Sequence, residues 1–186
     1  MIVFEKDGKE YRVPNKADEV SLNQLSHISD LMNDKKNDQQ FYTRWMAVIE
    51  YLGGKKLKQV ITSKALTSYI ESFDITDIDN EVSEIITVEG NEYKCVVEDG
   101  ELQMSGMDIA EVEQAIATNK DVGKKVFAII YKDETMGFND HYNAGHLKKK
   151  TELFGQHVTA LIAAPVIYQI NKGVMDNVEA LRKAHA

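Results

Sequence analysis

The sequence is short of most of what would make a function easy to name. It holds one cysteine, two prolines and 22 Lys+Arg against 30 Asp+Glu in 186 residues. A single thiol, Cys95, forbids an intramolecular disulfide framework and any zinc site built on two or more cysteines. The formal charge of -8 argues against a nucleic-acid binder, because neutralising phosphates takes a basic face. Long apolar runs are missing too. The longest, Val158 to Tyr168, is interrupted by Thr159 and Pro165, well below the roughly 20 apolar residues that span a bilayer. Met1-Ile2-Val3-Phe4-Glu5-Lys6-Asp7-Gly8 lacks a basic stretch leading into an apolar core, so no secretory signal is read there. What remains is a 43% hydrophobic, acidic chain of globular composition, expected in a reducing cytoplasm with Cys95 as a free core thiol.

Catalytic signatures are equally scarce. No Gly-x-Gly-x-x-Gly or Gly-x-Ser-x-Gly occurs, and Gly53-Gly54-Lys55-Lys56 lacks the spacing and the Ser/Thr of a phosphate loop. The run Asp74 to Glu81 alternates carboxylates as a calcium loop does. Counted from Asp77, however, position six is Val82 rather than Gly and position twelve is Val88 rather than Glu, so it reads as a solvated linker. His141, His146 and His157 lie close in sequence but without the i, i+4 spacing of a helical metal pair. Lys148-Lys149-Lys150 reads as a solvated face. The expectation is a protein that is no enzyme, with no catalytic residues, metal or cofactor.

Self-comparison is more productive. Gly8-Lys9-Glu10-Tyr11-Arg12-Val13 recurs as Gly90-Asn91-Glu92-Tyr93-Lys94-Cys95, each after an acidic residue and within β-prone runs. Both predict a hairpin, since Gly accepts the positive φ of a tight turn. Ser21-Leu22-Asn23-Gln24 and Ser105-Gly106-Met107-Asp108 then each place a side-chain acceptor three residues before a second one, the pattern of a capping box. The first helix carries Leu22, Leu25, Ile28, Leu31 and Met32, and its counterpart carries Ile109, Val112 and Ile116. A polar segment follows in each, then a second helix. Phe41, Trp45, Val48, Ile49 and Leu52 form one stripe, read as core, and Val126, Phe127, Ile129, Ile130 and Tyr131 the other. The expected fold is α+β, mainly helical, with two short β-hairpins from a diverged duplication of a hairpin-helix-helix unit. Residues 1–80 make the first unit and 81–186 the second, separate or sharing one core.

The units end differently. Gly53-Gly54 suits a helix C-cap, and a further helix runs from Ser63 through Leu66, Tyr69, Ile70 and Phe73. In the second unit, the irregular stretch Met136–Gly145 precedes one long helix from about Leu147 to Ile170, kinked or broken at Pro165 and stopped by Gly173. Its apolar residues lie nearly all round, so it is either central core or offers a face to a partner. The candidate partner-binding residues are Phe154, Val158, Leu161, Ile162, Val166, Ile167 and Ile170.

The Asp-Gly-Lys-Glu-Tyr hairpin with Pro14 after it, the Ser-Leu-x-Gln helix start, the aromatic helix ending in Tyr51-Leu52-Gly53, the second Glu-Gly-x-Glu-Tyr hairpin, Phe127-Ala128-Ile129-Ile130-Tyr131 and the final Glu-x-Phe helix are together similar to small proteins encoded among the structural genes of tailed bacteriophages, the tail-assembly-chaperone-like proteins. The resemblance implies a non-enzymatic morphogenesis factor in the cytoplasm of the infected host. Its partners would be phage tail or other virion proteins, bound helix-in-groove, with no nucleic acid or membrane and with homo-oligomerisation open. The alternative it implies is a structural or cargo component of the mature virion, in tail, connector or capsid interior. A cytosolic accessory domain of an enzyme is a third reading from another class.

Overall fold

The computed structural model describes residues 1–6, 8–33, 41–54, 57–74, 81–118, 122–170 and 172. The acidic linker core at 75–80, with the unit boundary, and the tail beyond Gly173 lie outside the described residues. The fold is α+β and mainly helical, with short antiparallel strands in small sheets.

Strands β1 (Ile2–Lys6) and β2 (Lys9–Val13) form the first hairpin, with Phe4 opposite Tyr11 and Ile2 opposite Val13. Strands β3 (Ile85–Val88) and β4 (Asn91–Lys94) form the second, with Ile86 opposite Tyr93. Its turn, Glu89-Gly90, has φ of 49° and 79°, the positive pair that a primed two-residue turn requires. A third hairpin, β5 (Val96–Glu98) with β6 (Glu101–Gln103), was not expected, although Asp99-Gly100 supplies the same turn chemistry at φ of 52° and 79°. Its strands are three residues each, too short for an alternation pattern to show. Strand β7 (Lys132–Asp133) adds to the outer edge of β4, Lys132 opposite Lys94 and Asp133 opposite Tyr93.

Both capping boxes are built. Before α1 (Leu22–Asn33), the Ser21 N–H donates to Gln24 Oε1 at 2.9 Å and the Gln24 N–H returns to Ser21 Oγ at 3.3 Å. Before α4 (Gly106–Thr118), the Ser105 N–H donates to Asp108 Oδ2 at 3.0 Å and the Asp108 N–H to Ser105 Oγ at 3.2 Å. Each pair satisfies two of the donors that a helix start leaves open. After α1 comes α2 (Phe41–Gly53), and after α4 comes α5 (Val122–Ile130), so the order hairpin, capped helix, second helix does recur.

The remaining helices are α3 (Ser63–Ser72), with Thr62 as N-cap, and α6 (Ala144–His157), capped by Asn143. A last helix, α7, covers 160–170. The expected single helix from Leu147 is therefore two. The break falls at Val158-Thr159, not at Pro165. There, Thr159 forms an isolated bridge with Ser21: the Leu22 N–H donates to the Val158 carbonyl and the Ala160 N–H to the Val20 carbonyl, both at 2.7 Å. Two strong backbone bonds to another segment outcompete one helical continuation.

The apolar interior falls into connected clusters. One lies wholly in the first half, with Val13, Ile49, Leu57, Leu66 and Tyr69 buried. The largest is built from the second half, including Tyr93, Phe127, Tyr131, Phe154 and Val166, but it also takes Leu22 from α1. A third joins Ala17, Val20, Ile28 and Val48 to Ala160 of α7. Helix α1 contacts α2 on one side and α5 and α6 on the other.

Some helix faces differ from expectation. In α4 the buried residues are Asp108, Val112 and Ala115, while Ile109 and Ile116 are exposed, because a polar anchor takes the core-facing register. Phe41, expected in the core, is 55% exposed at the first turn of α2; it touches Trp45 edge-on at 6.3 Å.

Candidate functional site

The break before α7 redistributes the seven candidate partner-binding residues. Phe154 and Val158 sit in the largest cluster, as do Val166 and Ile170. The Phe154 ring meets Tyr93 edge-on at 4.8 Å and Phe127 at 5.6 Å. These four are occupied by the chain's own core. Ile162 and Ile167 are half-buried against the same cluster. Leu161 is 41% exposed, and Tyr168, seven residues on, is 55% exposed. Ala164, half-buried, lies between them at helical spacing. No charged residue occurs from Val158 to Ile170, so this exposed stripe is framed by uncharged groups on its own helix. Gln169, on the same helix, grips the third hairpin, accepting from the Leu102 N–H at 2.7 Å and donating to the Gly100 carbonyl at 2.9 Å.

A second arrangement was missed by sequence reasoning. Lys148 and Lys149 are exposed as expected, but Lys150 is 3% exposed. Its Nζ donates to the Tyr131 carbonyl at the end of α5 and to the Tyr142 hydroxyl. The rings of Tyr142, Tyr93 and Phe154 stand 4.0, 4.8 and 5.1 Å from it, and the closest carboxylate oxygen, Asp133 Oδ1, is 4.0 Å away. Burial pushes the ammonium down to about 7; Asp133 opposes this and Lys132 adds to it.

Lys132, next to Asp133 in β7, makes the neighbouring pair. Lys132 Nζ donates to Asp108 Oδ2 at 3.1 Å and to the Phe138 carbonyl, with both side chains nearly fully buried. Asp108 thus serves the α4 capping box and the ion pair at once. The irregular stretch, which ends at the Asn143 cap rather than at Gly145, is fastened by these groups: Lys132 holds Phe138, Lys150 holds Tyr142, and Tyr142 Oη accepts the Asp133 N–H at 2.7 Å. Burial raises the Tyr142 and Tyr131 phenols above their ordinary range. The Tyr131 hydroxyl donates to the Ser83 carbonyl at 2.6 Å.

Lys132, Lys150, Tyr131 and Tyr142 are each bonded to protein groups, so the geometry is that of a staple. A signal did exist in the sequence. Lys150 stands three residues after Leu147 and four before Phe154, on the apolar face of its helix, and a helical stripe that admits lysine places it inside.

The histidines do not converge. His146 Nε2 lies 3.9 Å from Asp133 Oδ2 and His157 Nε2 lies 3.2 Å from Glu89 Oε1, in separate places. Among the described residues, no three His, Cys, Asp or Glu side chains are grouped to hold a metal ion, and no helix is long and apolar enough to cross a membrane. No family model, curated protein or solved structure matches the chain.

Proposed function

We propose that this chain is a non-enzymatic phage morphogenesis protein, tail-assembly-chaperone-like, which holds other phage structural proteins through apolar helical surfaces. The observation that supports this reading is the exposed Leu161–Tyr168 stripe on a charge-free helix whose opposite face is locked into the core. Such a stripe is rigid before binding, so an incoming amphipathic helix loses less entropy than it would on a mobile surface. The acidic surplus keeps the loaded complex soluble and away from DNA.

The test separates surface from core. Leu161→Asp alters an exposed residue and is expected to leave the circular-dichroism spectrum and melting temperature nearly unchanged, while tails fail to form when the variant replaces the native protein in infected cells. Normal tail assembly by a folded Leu161→Asp variant would refute the use of this stripe. Mass spectrometry of purified particles should not find the chain; stoichiometric amounts there would make it a virion component instead.

A further inference from the structure

The two repeated hairpins differ in what lies along their outer edge. In a two-residue hairpin the pair flanking the turn exchanges both backbone bonds, and alternate pairs do so along the ladder. In the second hairpin that pair is Val88 with Asn91, so Lys94 turns its N–H and C=O outward, and there β7 adds antiparallel. Glu134, just past β7, brings Oε1 to 3.9 Å from Lys94 Nζ.

In the first hairpin the flanking pair is Lys6 with Lys9, so Glu10 and Arg12 face outward in the same way. Arg12 stands at the position of Lys94, counted from Gly8 and Gly90. Among the described residues no strand covers this edge. The chain after α2 goes into a 3-10 turn at Leu57–Gln59 where the second unit goes into β7. The open stretch is bounded by the Gly8 turn on one side. On the other stand Pro14, which has no N–H, and Asp74, whose N–H donates to the Asn15 carbonyl at 2.9 Å.

The side chains on this edge are self-complementary. Glu10 and Arg12 are 59% and 67% exposed and sit 3.3 Å apart on one face of β2. Two β2 strands set antiparallel about Tyr11 would place Glu10 of each opposite Arg12 of the other. That register matches the outward backbone groups of both residues, so two bonded pairs and two ion pairs form together. Tyr11, half-buried, would meet its own copy at the non-bonded position between them. The outer edge of β1 offers no such match, since the same operation there sets Val3 against Glu5.

We propose that the outer edge of β2 pairs antiparallel with the same edge of a second copy, on a two-fold axis at Tyr11, making a four-stranded sheet across a dimer. The contact is isologous and closes on itself, which covers an edge that would otherwise recruit chains indiscriminately. It goes beyond the phage reading and stands or falls separately from it.

Sedimentation equilibrium of the full chain is the test, with wild type expected to approach twice the 21.0 kDa protomer mass as concentration rises. Glu10→Arg sets Arg against Arg and Arg12→Glu sets Glu against Glu, and each is expected to sediment as a monomer. The double variant Glu10→Arg with Arg12→Glu restores opposite charges and is expected to recover the dimer. Arg12→Pro removes the outward N–H together with the guanidinium, takes no bond from the β1 ladder, and should also be monomeric. A wild type that stays monomeric up to its solubility limit would overturn the proposal. So would a dimer indifferent to Arg12→Pro, or single variants not rescued by the double one.

Discussion

Lys150 gives the protein a pH dependence whose sign and size follow from its surroundings. Its ammonium has an ordinary pKa of 10.5 and is pushed down to about 7 by burial. Between these two values the unfolded chain binds a proton that the folded chain has released, so stability rises with pH across that window. Below about 7 both states are protonated and the contribution is constant. From pH 7 to pH 9 the folded amine goes from half to almost wholly neutral, which corresponds to about 2 kcal/mol of added stability. The aromatic faces of Tyr142, Tyr93 and Phe154 stand in for part of the lost hydration and make this a ceiling. Above about pH 9 the trend reverses. The Cys95 thiol is pushed up to about 11 from 9.0 by burial, and the buried phenols are raised as well. There the unfolded chain loses protons first and gains the advantage. Urea unfolding followed by circular dichroism at pH 7, 8 and 9 reads the effect as a rising midpoint. Lys150→Met, of similar length and without charge, should flatten the curve. A wild-type midpoint that is level or falls from pH 7 to 9 would refute the reasoning.

Two further expectations concern packing and charge. A Cβ on Gly155 would lie 2.4 Å from Asn23 Oδ1 of α1 and 2.9 Å from Lys124 Cδ of α5. Both are side chains that can swing aside, so Gly155→Ala should change urea-unfolding stability by less than about 1 kcal/mol, the displacement and the better helix propensity offsetting each other. Asp108→Asn keeps most of the cap geometry but strands the Lys132 ammonium, so a loss of about 3 kcal/mol or more is expected. Ser105→Ala removes the cap acceptor and one hydroxyl donor to Asp108 Oδ2 but keeps the ion pair, and should cost about 1–2 kcal/mol. Equal losses for the two variants would mean that the buried pair contributes no more than the cap.

The parts of the fold written in local chemistry were legible. Both capping boxes, the turn glycines at 8 and 90 and the α5 stripe from Val126 to Ile130 depend on residues close in sequence and form as their patterns suggest, with Tyr131 buried just past the helix end. What escaped depends on distant partners. Nothing near Thr159 announces that its neighbours will bond to Val20 and Leu22, so the helix break could not be read. Asp108 and Lys150 look like surface residues until each is matched with a group more than a turn of chain away: Lys132 for one, the Tyr131 carbonyl for the other. The same buried Asp108 rotates α4 so that Ile109 and Ile116 face out, against a count made on apolar residues alone.

The bridge at Thr159 also decides what the last helix has to offer. Had α6 run on unbroken, the helical phase of Phe154 would have continued past Val158 along a single face. The break at 158–159 restarts the helix with Ala160 clustered with Val20 and Val48 of the first half and Ala163, Val166 and Ile170 in the core of the second. Helix α7 is therefore held by both halves, and Gln169 ties the third hairpin to it as well. The stripe of Leu161 and Tyr168 is what such a doubly anchored helix leaves uncovered. Its orientation depends on both units being folded and docked, so a variant that loosens α1 should weaken partner binding without touching the stripe itself. Leu22→Ala, which hollows the core where α1 meets the second half, is the variant on which stability and binding are expected to fall together.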